Sequence, residues 1–429
     1  MPRVLIIGGG FAGLNAAKEL GGLADVEVTV VDRTNHHLFQ PLLYQVAMAG
    51  LSPAEIAAPI RSMLSQYRNV RVLLGEVRGL DLAGKLAHAD FGDVPFDYLI
   101  LACGATHSYF GHDEWEQFAP GLKTLEQATE IRRRVLSAYE LAELSNSPEE
   151  RKRLLTFVVV GGGPTGVELA GAIGEMSRFT LGRDFRNINA ALARVILIEA
   201  GPRILPMFSD ELAARAVRDL EHLGVQTWTN SAVTKIDVEG VEIGRSERIR
   251  AATVLWAAGV KASSIGAAAG FAVDRQGRVL VEPDLSVKGH PNIFVAGDLA
   301  NLTGENGKPL PGIAPVAMQQ GRYLARLIRQ ELKGRPRPAF RYHDKGQMAT
   351  IGRSRAIVEM GKLRVTGFAA WLMWLVVHIY FLTGFKNRMF VVLQWAWSYA
   401  SFRRGARLIV GRENQHQDKN APENNPKVA

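Results

Sequence analysis

Short apolar runs, each followed by a cluster of glycines, organise the hydrophobic pattern of this chain. Residues 4–7 are followed by three consecutive glycines, and residues 157–160 are followed by three more. A short apolar run of this kind is typical of a buried parallel strand, and the stretch after each glycine cluster has the pattern of a helix. The sequence therefore predicts an α/β fold in which one strand–turn–helix unit occurs twice.

Both glycine clusters have the spacing G-x-G-x-x-G. The six glycines are Gly8, Gly10 and Gly13 in the first cluster and Gly161, Gly163 and Gly166 in the second. In such a turn one glycine allows the tight bend, one lets the backbone approach a pyrophosphate, and one lets the helix pack on its strand. The free N–H groups at the start of the helix then bind the phosphates. Two such turns predict two bound dinucleotides.

An acidic residue ends the next strand after each turn. Asp32 follows Gly13 by 19 residues, close to the usual distance for a carboxylate that binds a ribose. Glu199 follows Gly166 by 33 residues, and we interpret residues 179–193 as an insertion. A carboxylate there repels a 2′-phosphate and favours NADH, although Arg203 nearby leaves NADPH open. Either acid could also be an ordinary solvated strand end.

The order of the signals predicts two Rossmann-like domains, the second inserted in the first. A strand at residues 96–102 leads to Gly104, and a strand at 291–298 ends in a further acid. We therefore assign 1–120 and 266–340 to the first domain and 121–265 to the second. A C-terminal unit covers 341–412, and 413–429 are predicted to be disordered because they are rich in Asn, Pro, Lys and Gln.

Positive charge is concentrated near the C-terminus. The whole chain has a formal net charge of +9, and residues 360–412 contain eight Lys or Arg and no acid. Apolar and aromatic residues recur there at helical spacing, namely Trp371, Trp374, Leu375, His378, Phe381, Leu382 and Phe385. This pattern favours an amphipathic helical anchor lying in the membrane surface, without excluding a spanning helix or a core or dimer interface. Nucleic-acid binding is disfavoured because long aliphatic runs interrupt the charges.

The cysteine and histidine content limits the chemistry. Cys103 is the only cysteine, so an intrachain redox disulfide is impossible, and a location facing the cytosol is consistent with that. The ten histidines include the adjacent His36 and His37 but form no metal-ligand pattern, so we predict no metal site. The N-terminus enters a strand at once, and we expect no secretory signal.

Together these landmarks resemble the type II NADH dehydrogenases, single-subunit NADH:quinone oxidoreductases of the two-dinucleotide-binding flavoprotein superfamily. The resemblance implies FAD in the first glycine turn, NADH in the second, and a flavin contact by Asp298 in the sequence Ala296-Gly297-Asp298. Besides the glycines and acids above, the cofactor-binding positions that we predict are Phe11, Ala12, Arg33, His37, Val77, Ala102, Gly104, Gly259 and Ala317.

The family resemblance also implies residues on the quinone side. The family motif A-Q-x-x-x-Q-x-G matches residues 314–321, with Gln319 as its second glutamine and Pro315 in place of its first. Lys386 matches a basic position near the quinone pocket, and Glu168 a position beside the nicotinamide and flavin. The alternatives are a helix residue without a quinone role for Gln319, a membrane-surface lysine for Lys386, and helix-terminus stabilisation for Glu168.

We therefore expect a membrane-associated enzyme that passes hydride from NADH to FAD and two electrons to a membrane quinone, without pumping protons. Its expected location is the cytoplasmic side of the inner membrane, bound to lipid as a monotopic protein, with a homodimer plausible. One alternative is a soluble NADH-dependent reductase of a ferredoxin- or rubredoxin-like protein. Another is an NADH sensor without catalytic activity. The identity of the quinone stays open.

Overall fold

The computed structural model describes residues 1–182, 184–244, 247–305, 307–382, 385–401 and 405–410. Within these ranges, the side chains of 385–387 and 397–401 are not described. The segment 413–429, which the sequence predicts to be disordered, lies outside the described residues. So does the side chain of Lys386.

Residues 3–107 contain the first glycine turn. Their strands are β1 (Arg3–Ile7), β2 (Glu27–Asp32), β3 (His36–Leu38), β4 (Ala57–Pro59), β5 (Val70–Leu74), β6 (Val77–Asp81), β7 (Leu86–Ala89), β8 (Gly92–Pro95), β9 (Tyr98–Leu101) and β10 (Ala105–His107). Their helices are α1 (Phe11–Leu20), α2 (Leu43–Ala47), α3 (Pro53–Ile56) and α4 (Ile60–Leu64).

Residues 125–268 contain the second glycine turn. Their strands are β11 (Thr156–Val160), β12 (Arg194–Ile198), β13 (Val225–Trp228), β14 (Val233–Asp237), β15 (Gly240–Ile243), β16 (Glu247–Arg250), β17 (Thr253–Trp256) and β18 (Val260–Ala262). Their helices are α5 (Leu125–Leu144), α6 (Pro148–Leu154), α7 (Pro164–Glu175), α8 (Asp210–His222) and α9 (Ile265–Ala268).

The remaining elements follow from residue 279 onward. The strands are β19 (Val279–Leu280), β20 (Ser286–Val287), β21 (His290–Val295), β22 (Ala300–Asn301), β23 (Gln347–Gly352), β24 (Arg355–Met360) and β25 (Leu363–Thr366). The helices are α10 (Ala314–Glu331), α11 (Gly367–Phe381) and α12 (Phe385–Ser401).

Two parallel sheets carry the two glycine turns. The first sheet has the order β20-β21-β9-β1-β2-β5, and all of its pairings are parallel except that of the edge strand β20. The second has the order β13-β12-β11-β17 and is parallel throughout. The central strands β1 and β11 are apolar runs that are buried on both faces, as parallel strands covered by helices require.

Strand β21 returns the chain to the first sheet. It pairs with β9, although all strands of the second sheet lie between these two strands along the chain. Strands before residue 102 and after residue 285 therefore share one sheet. The carboxyl ends of β1, β9 and β21 therefore lie side by side. Ligands of such sheets bind at this edge.

The C-terminal unit is a three-stranded antiparallel sheet, β23-β24-β25, covered by α11. Helix α7 of the second domain packs on β23, so this unit contacts the helix that follows the second glycine turn. Within the part of the chain that the structure describes, no helix has the length and apolarity needed to cross a membrane.

Helix α11 exposes a different face from the one that its sequence pattern suggested. Trp374 and Leu382, both in the predicted apolar stripe, are 2% and 0% exposed; α11 packs on β24, and Leu382 directly follows the end of this helix. The outward residues are instead Phe368, Leu372, Val376 and Tyr380, at 54%, 47%, 57% and 68% exposure. A helix that is apolar on all sides can bury one face and still present another, so the spacing alone misassigned the inward residues.

Candidate functional site

The two glycine turns close in the same way. Gly8 and Gly161 have φ angles of +103° and +111°, a backbone conformation that residues other than glycine rarely adopt. A Cβ atom on Gly13 would overlap the carbonyl oxygen of Gly8, and one on Gly166 would overlap that of Gly161. Each third glycine therefore lets its helix lie directly against the turn that precedes it.

The middle glycines face open space. A Cβ atom added to Gly10 or to Gly163 would meet no described atom within 4 Å. These glycines are the N-cap residues of α1 and α7, and no described side chain caps either helix. Both helix starts therefore leave room and free N–H groups for a phosphate, and the residues present fit two dinucleotides.

The strand-end acids are held against the glycine turns. The N–H of Gly9 donates to Asp32 Oδ2 at 2.6 Å, and the N–H of Gly162 donates to Glu199 Oε2 at 2.6 Å. The second oxygen of Glu199 accepts from the Gly201 N–H at 2.7 Å. These bonds fix both carboxylates at the end of the second strand of their sheets, beside the phosphate positions.

The Arg203 guanidinium is held by three groups of its own chain. Its guanidinium donates to the carbonyls of Phe208 and Pro206 at 2.8 and 3.0 Å, and it lies 3.0 Å from an Asp210 carboxylate oxygen. Binding a phosphate would require the side chain to leave these three groups. The arrangement favours a nucleotide without the 2′-phosphate.

The predicted flavin-side residues gather at the carboxyl edge of the first sheet. Gly8 lies against the Ala102 carbonyl, and Gly104 turns the chain away with a φ angle of +68°. Asp298 and Ala317 line the central cavity described below. Two further predicted cofactor positions lie on α1, namely Phe11, which also lines the cavity, and the buried Ala12.

The other predicted cofactor positions, His37, Arg33, Val77 and Gly259, have different surroundings. His37 is 4% exposed, and its Nδ1–H donates to the Gly9 carbonyl at 3.0 Å. Burial lowers the pKa of His37 to about 4, so its ring is neutral and fixes the turn. Arg33 is exposed, whereas Val77 packs half-buried on the hydrophobic core beside β9. Gly259 has a φ angle of +72° next to Phe110.

A central cavity of about 1270 Å³ joins the three parts of the chain. It lies between the two glycine turns and the C-terminal unit, and its volume is that of a large cofactor site. Residues of the first domain, of the second domain and of the C-terminal unit contribute to its walls, among them Phe11, Phe39, Asp298, Ala317, Pro164, Thr165, Glu168, Tyr342, Val377, His378 and Phe381.

Glu168 projects into the central cavity from the second turn of α7. Because α7 begins at Pro164, Glu168 is not at the helix terminus, and the alternative of helix-terminus stabilisation does not fit. Burial of the carboxyl raises its pKa to about 8, and a backbone hydrogen bond from Thr350 opposes this only in part. Glu168 therefore holds a proton at neutral pH, within the cavity where the nicotinamide end of a nucleotide is expected.

Sequence comparison identifies the family. The pyridine nucleotide-disulphide oxidoreductase family matches residues 2–321, and the NDH2 C-terminal domain matches 344–404. The chain is 47% identical to type II NADH:quinone oxidoreductase NdhA of Mycobacterium tuberculosis, over 96% of this chain and 90% of that protein. The chain belongs to the type II NADH:quinone oxidoreductase family.

A second relative matches over a similar length, and a solved structure shares the fold. The type II NADH:quinone oxidoreductase Ndh of M. tuberculosis is 46% identical, over 96% of this chain and 91% of that protein. The structure of NDH2 from Plasmodium falciparum in complex with NADH shares the fold, with a TM-score of 0.86, 20% identity and coverage of 96% and 100%. The predicted family and the predicted α/β architecture are confirmed.

The family's quinone-side motif has an unexpected geometry in this chain. The Gln319 side chain donates to the His343 carbonyl and accepts from the His343 N–H, both at 3.0 Å, and it is not among the residues that line the central cavity. Pro315 and Met318 line the cavity instead. Gln319 thus supports the segment around Tyr342, which is part of the cavity wall.

Two residues were not predicted from the sequence to belong to the site, although His378 is part of the predicted apolar stripe. Gln320 is 1% exposed and accepts from the Gly297 N–H at 2.7 Å, which fixes the turn that carries Asp298. His378 lines the central cavity, stacks on Trp374 at 4.2 Å and donates to its carbonyl at 2.7 Å. Burial lowers the pKa of His378 to about 4. Only its place in an apolar helix could have drawn attention to it.

Proposed function

We propose that the protein is an NADH:quinone oxidoreductase that carries FAD and does not pump protons. The observation that carries the proposal is the single central cavity, which the two glycine turns and the C-terminal unit share. A hydride donor, a flavin and a quinone can meet there without a protein disulfide, which this chain with one cysteine cannot form. FAD, when bound, accepts a hydride from NADH and returns two electrons to the quinone.

The chain's own residues would hold each nucleotide at the carboxyl edge of its sheet. In the first domain, the space at Gly10 would take the FAD pyrophosphate, Asp32 would accept from the ribose, and Asp298, just after β21, would contact the flavin. In the second domain, Gly163 and Glu199 take the same two roles for NADH. Orientation of the two ring systems is the protein's main contribution to hydride transfer.

Glu168 is the proton donor that we assign to quinone reduction. NADH, a quinone and one proton give NAD⁺ and a hydroquinone, so each turnover takes one proton from solution. Glu168 lines the cavity and is protonated at neutral pH because burial raises its pKa to about 8. Such a group can give a proton to a quinone oxygen and must then be reprotonated.

The exposed apolar face of the C-terminal helices supports binding to a membrane. Phe368, Leu372, Val376 and Tyr380 form one stripe on α11, and Met389, Phe390 and Leu393 are exposed on α12. A continuous apolar surface of this kind typically marks an interaction with a membrane or a partner. Together with the eight basic residues of 360–412, it favours anionic lipid. The cytoplasmic side and a homodimer stay predictions from the sequence.

A comparison of electron acceptors tests the proposed function. The detergent-purified protein, reconstituted with FAD, is supplied with NADH and either a water-soluble short-chain benzoquinone or a reducible ferredoxin. We expect NADH oxidation to depend on the quinone and to be at least about tenfold slower with the ferredoxin. Faster reduction of the ferredoxin would instead support the soluble reductase, and no NADH oxidation with either acceptor would support the sensor.

A further inference from the structure

Three positively charged residues lie where helices α1 and α10 pack against each other. The two helices come very close at Gly321, where a Cβ atom would overlap the Ala12 carbonyl. Lys18 is on the last turn of α1, and Arg322 and Arg326 are on successive turns of α10. We call these three residues the cation cluster. None of them lines the central cavity, so the cluster is separate from the site described above.

The Arg322 guanidinium is held in place by a side chain of α1. Its Nε–H donates to Asn15 Oδ1 at 2.9 Å, and the Asn15 amide nitrogen donates to the Phe11 carbonyl at 2.8 Å. The second bond fixes the direction in which the Asn15 oxygen points. In the part of the chain that the structure describes, the terminal nitrogens of Arg322 have no hydrogen-bond partner. A guanidinium anchored through Nε presents its other N–H groups as a rigid fork.

The Arg326 side chain folds back along α10 toward Arg322. Its Nε–H donates to the Arg322 carbonyl at 3.2 Å, one helical turn earlier. The Arg326 residue is exposed, and no described group binds its terminal nitrogens. Two guanidinium groups on neighbouring turns are therefore both anchored through Nε and both leave their terminal N–H groups unused.

Lys18 adds a third charge that no described carboxylate balances. Lys18 and Arg322 are both half-buried. Burial lowers the pKa of Lys18, and the positive charge of Arg322 nearby lowers it further. Among the described residues, no member of the cation cluster forms an ion pair. Like charges that are partly removed from water are costly, and a bound anion offsets this cost.

The number and kind of donors in the cation cluster suit a phosphate group. A phosphate monoester has three strong acceptor oxygens, so it can accept from two guanidinium groups and one ammonium at once. Exposed Arg329 and Lys333 follow on the next turns of α10. Their charges raise the positive potential around the cluster and attract anions to it.

We propose that Lys18, Arg322 and Arg326 form a binding site for one phosphate group, separate from both nucleotide sites. The phosphate oxygens accept from the terminal N–H groups of the two arginines and from the Lys18 ammonium. Two sources can supply this group, a soluble phosphate ester and the head group of an anionic phospholipid. The site does not depend on the electron acceptor, so this inference stands apart from the proposed function.

Phosphate binding to the FAD-saturated, detergent-purified full chain tests the proposal. Calorimetry with inorganic phosphate measures the affinity, and melting curves in phosphate and in chloride at equal ionic strength measure the stabilisation. Lys18→Gln and Arg322→Gln each remove one charge of the cluster. Arg275→Gln, at an exposed arginine between α9 and β19, is the matched control. We expect phosphate to stabilise the wild type and the control, and its affinity to fall at least about tenfold in the two cluster variants.

Equal stabilisation of the wild type by phosphate and chloride would overturn the proposal, and so would wild-type phosphate affinity in both cluster variants. Inorganic phosphate can also enter the second glycine turn. Loss of its binding in Gly163→Ala but not in Lys18→Gln would place it there and would likewise overturn the proposal. If Arg322→Gln does not fold, Arg326→Gln at an exposed residue takes its place.

Vesicles distinguish the two sources of the phosphate group. Binding of the wild type and of Lys18→Gln is compared on phosphatidylcholine vesicles with and without phosphatidic acid, whose head group is a phosphate monoester. A preference for phosphatidic acid that Lys18→Gln loses, and that inorganic phosphate competes away, supports the site with a lipid as its ligand. The same preference in both proteins, with inorganic phosphate bound only by the wild type, supports the site with a soluble phosphate ester as its ligand.

Discussion

At the scale of single residues, Glu168 is the group whose ionisation matters most for the proposed proton transfer. Its carboxyl lines the central cavity, and burial raises its pKa to about 8 from the ordinary value of 4.5. The folded protein therefore keeps this proton through neutral pH. A buried carboxyl that is neutral at pH 7 is a common device for proton transfer in enzymes.

The raised pKa of Glu168 predicts a pH dependence of the reaction. Quinone reduction should fall as the pH rises through about 8, because Glu168 then loses the proton that it donates. Glu168→Gln cannot donate a proton, and we expect it to lower the turnover number with quinone about 100-fold and to remove this decline. A pH series of the turnover number, from pH 6 to 9, checks both statements. An unchanged profile in Glu168→Gln would contradict the role.

The same shift predicts how stability depends on pH. An unfolded chain loses the Glu168 proton near pH 4.5, whereas the folded chain keeps it to about pH 8. The unfolded state therefore binds fewer protons between these values, and the contribution of Glu168 to stability falls as the pH rises through this window. Relative to wild type, Glu168→Gln should gain thermal stability between pH 6 and pH 9. Melting curves at both values measure this difference, and an identical shift at both would contradict the raised pKa.

At the scale of elements, the two glycine turns are the parts that the sequence predicted best. The spacing of Gly8 to Gly13 and of Gly161 to Gly166 is a local property, and the strands before them are continuous apolar runs. The partner acids Asp32 and Glu199 could also be found, because each ends the next strand of the same sheet. Local chemistry and chain order were sufficient for these features.

Features that depend on contacts between distant segments could not be read from the sequence. Gln319 fits the family motif, yet its amide is bound by His343, and the neighbouring Gln320 fixes the turn of Asp298. The orientation of Trp374 depends on how α11 packs on β24. The hydrophobic pattern constrains each helix but not its partners.

Single alanine substitutions should separate the two glycine turns by function. Gly10 and Gly163 have φ angles of −70° and −71°, so alanine fits the backbone, and its methyl group enters only the space left for phosphate. Gly10→Ala should lower FAD content, whereas Gly163→Ala should keep FAD and weaken NADH binding about tenfold. Flavin absorbance and an NADH titration measure the two effects. Loss of FAD in Gly163→Ala would contradict the assignment.

At the scale of the whole molecule, the three parts of the chain differ in the surfaces that they form. Both nucleotide domains contribute walls to the central cavity, while the C-terminal unit lines it with His378 and Phe381 and presents an apolar surface outward. With the membrane binding that we propose, a membrane quinone would enter the cavity from the side of this surface. Sequence composition predicts membrane binding, and the structure shows which residues of α11 face outward.

The outward stripe predicts a selective loss of membrane binding. Leu372→Glu combined with Val376→Glu places two charges where α11 would meet lipid, and we expect binding to anionic vesicles to fall at least about tenfold. Activity with a water-soluble benzoquinone should be retained, because neither residue lines the central cavity. Vesicle sedimentation measures binding. Leu144→Glu, at an exposed leucine of α5, is the control that should leave it unchanged.

The central claim is that one cavity connects NADH, the flavin and a quinone. The most direct test is an anaerobic stopped-flow experiment on the FAD-loaded protein, mixed first with NADH and then with a short-chain benzoquinone. We expect flavin absorbance near ~450 nm, a property of the cofactor, to disappear with NADH and to return rapidly with the quinone. Bleaching that only a protein acceptor reverses would contradict the quinone reaction, and the absence of bleaching by NADH would contradict the account as a whole.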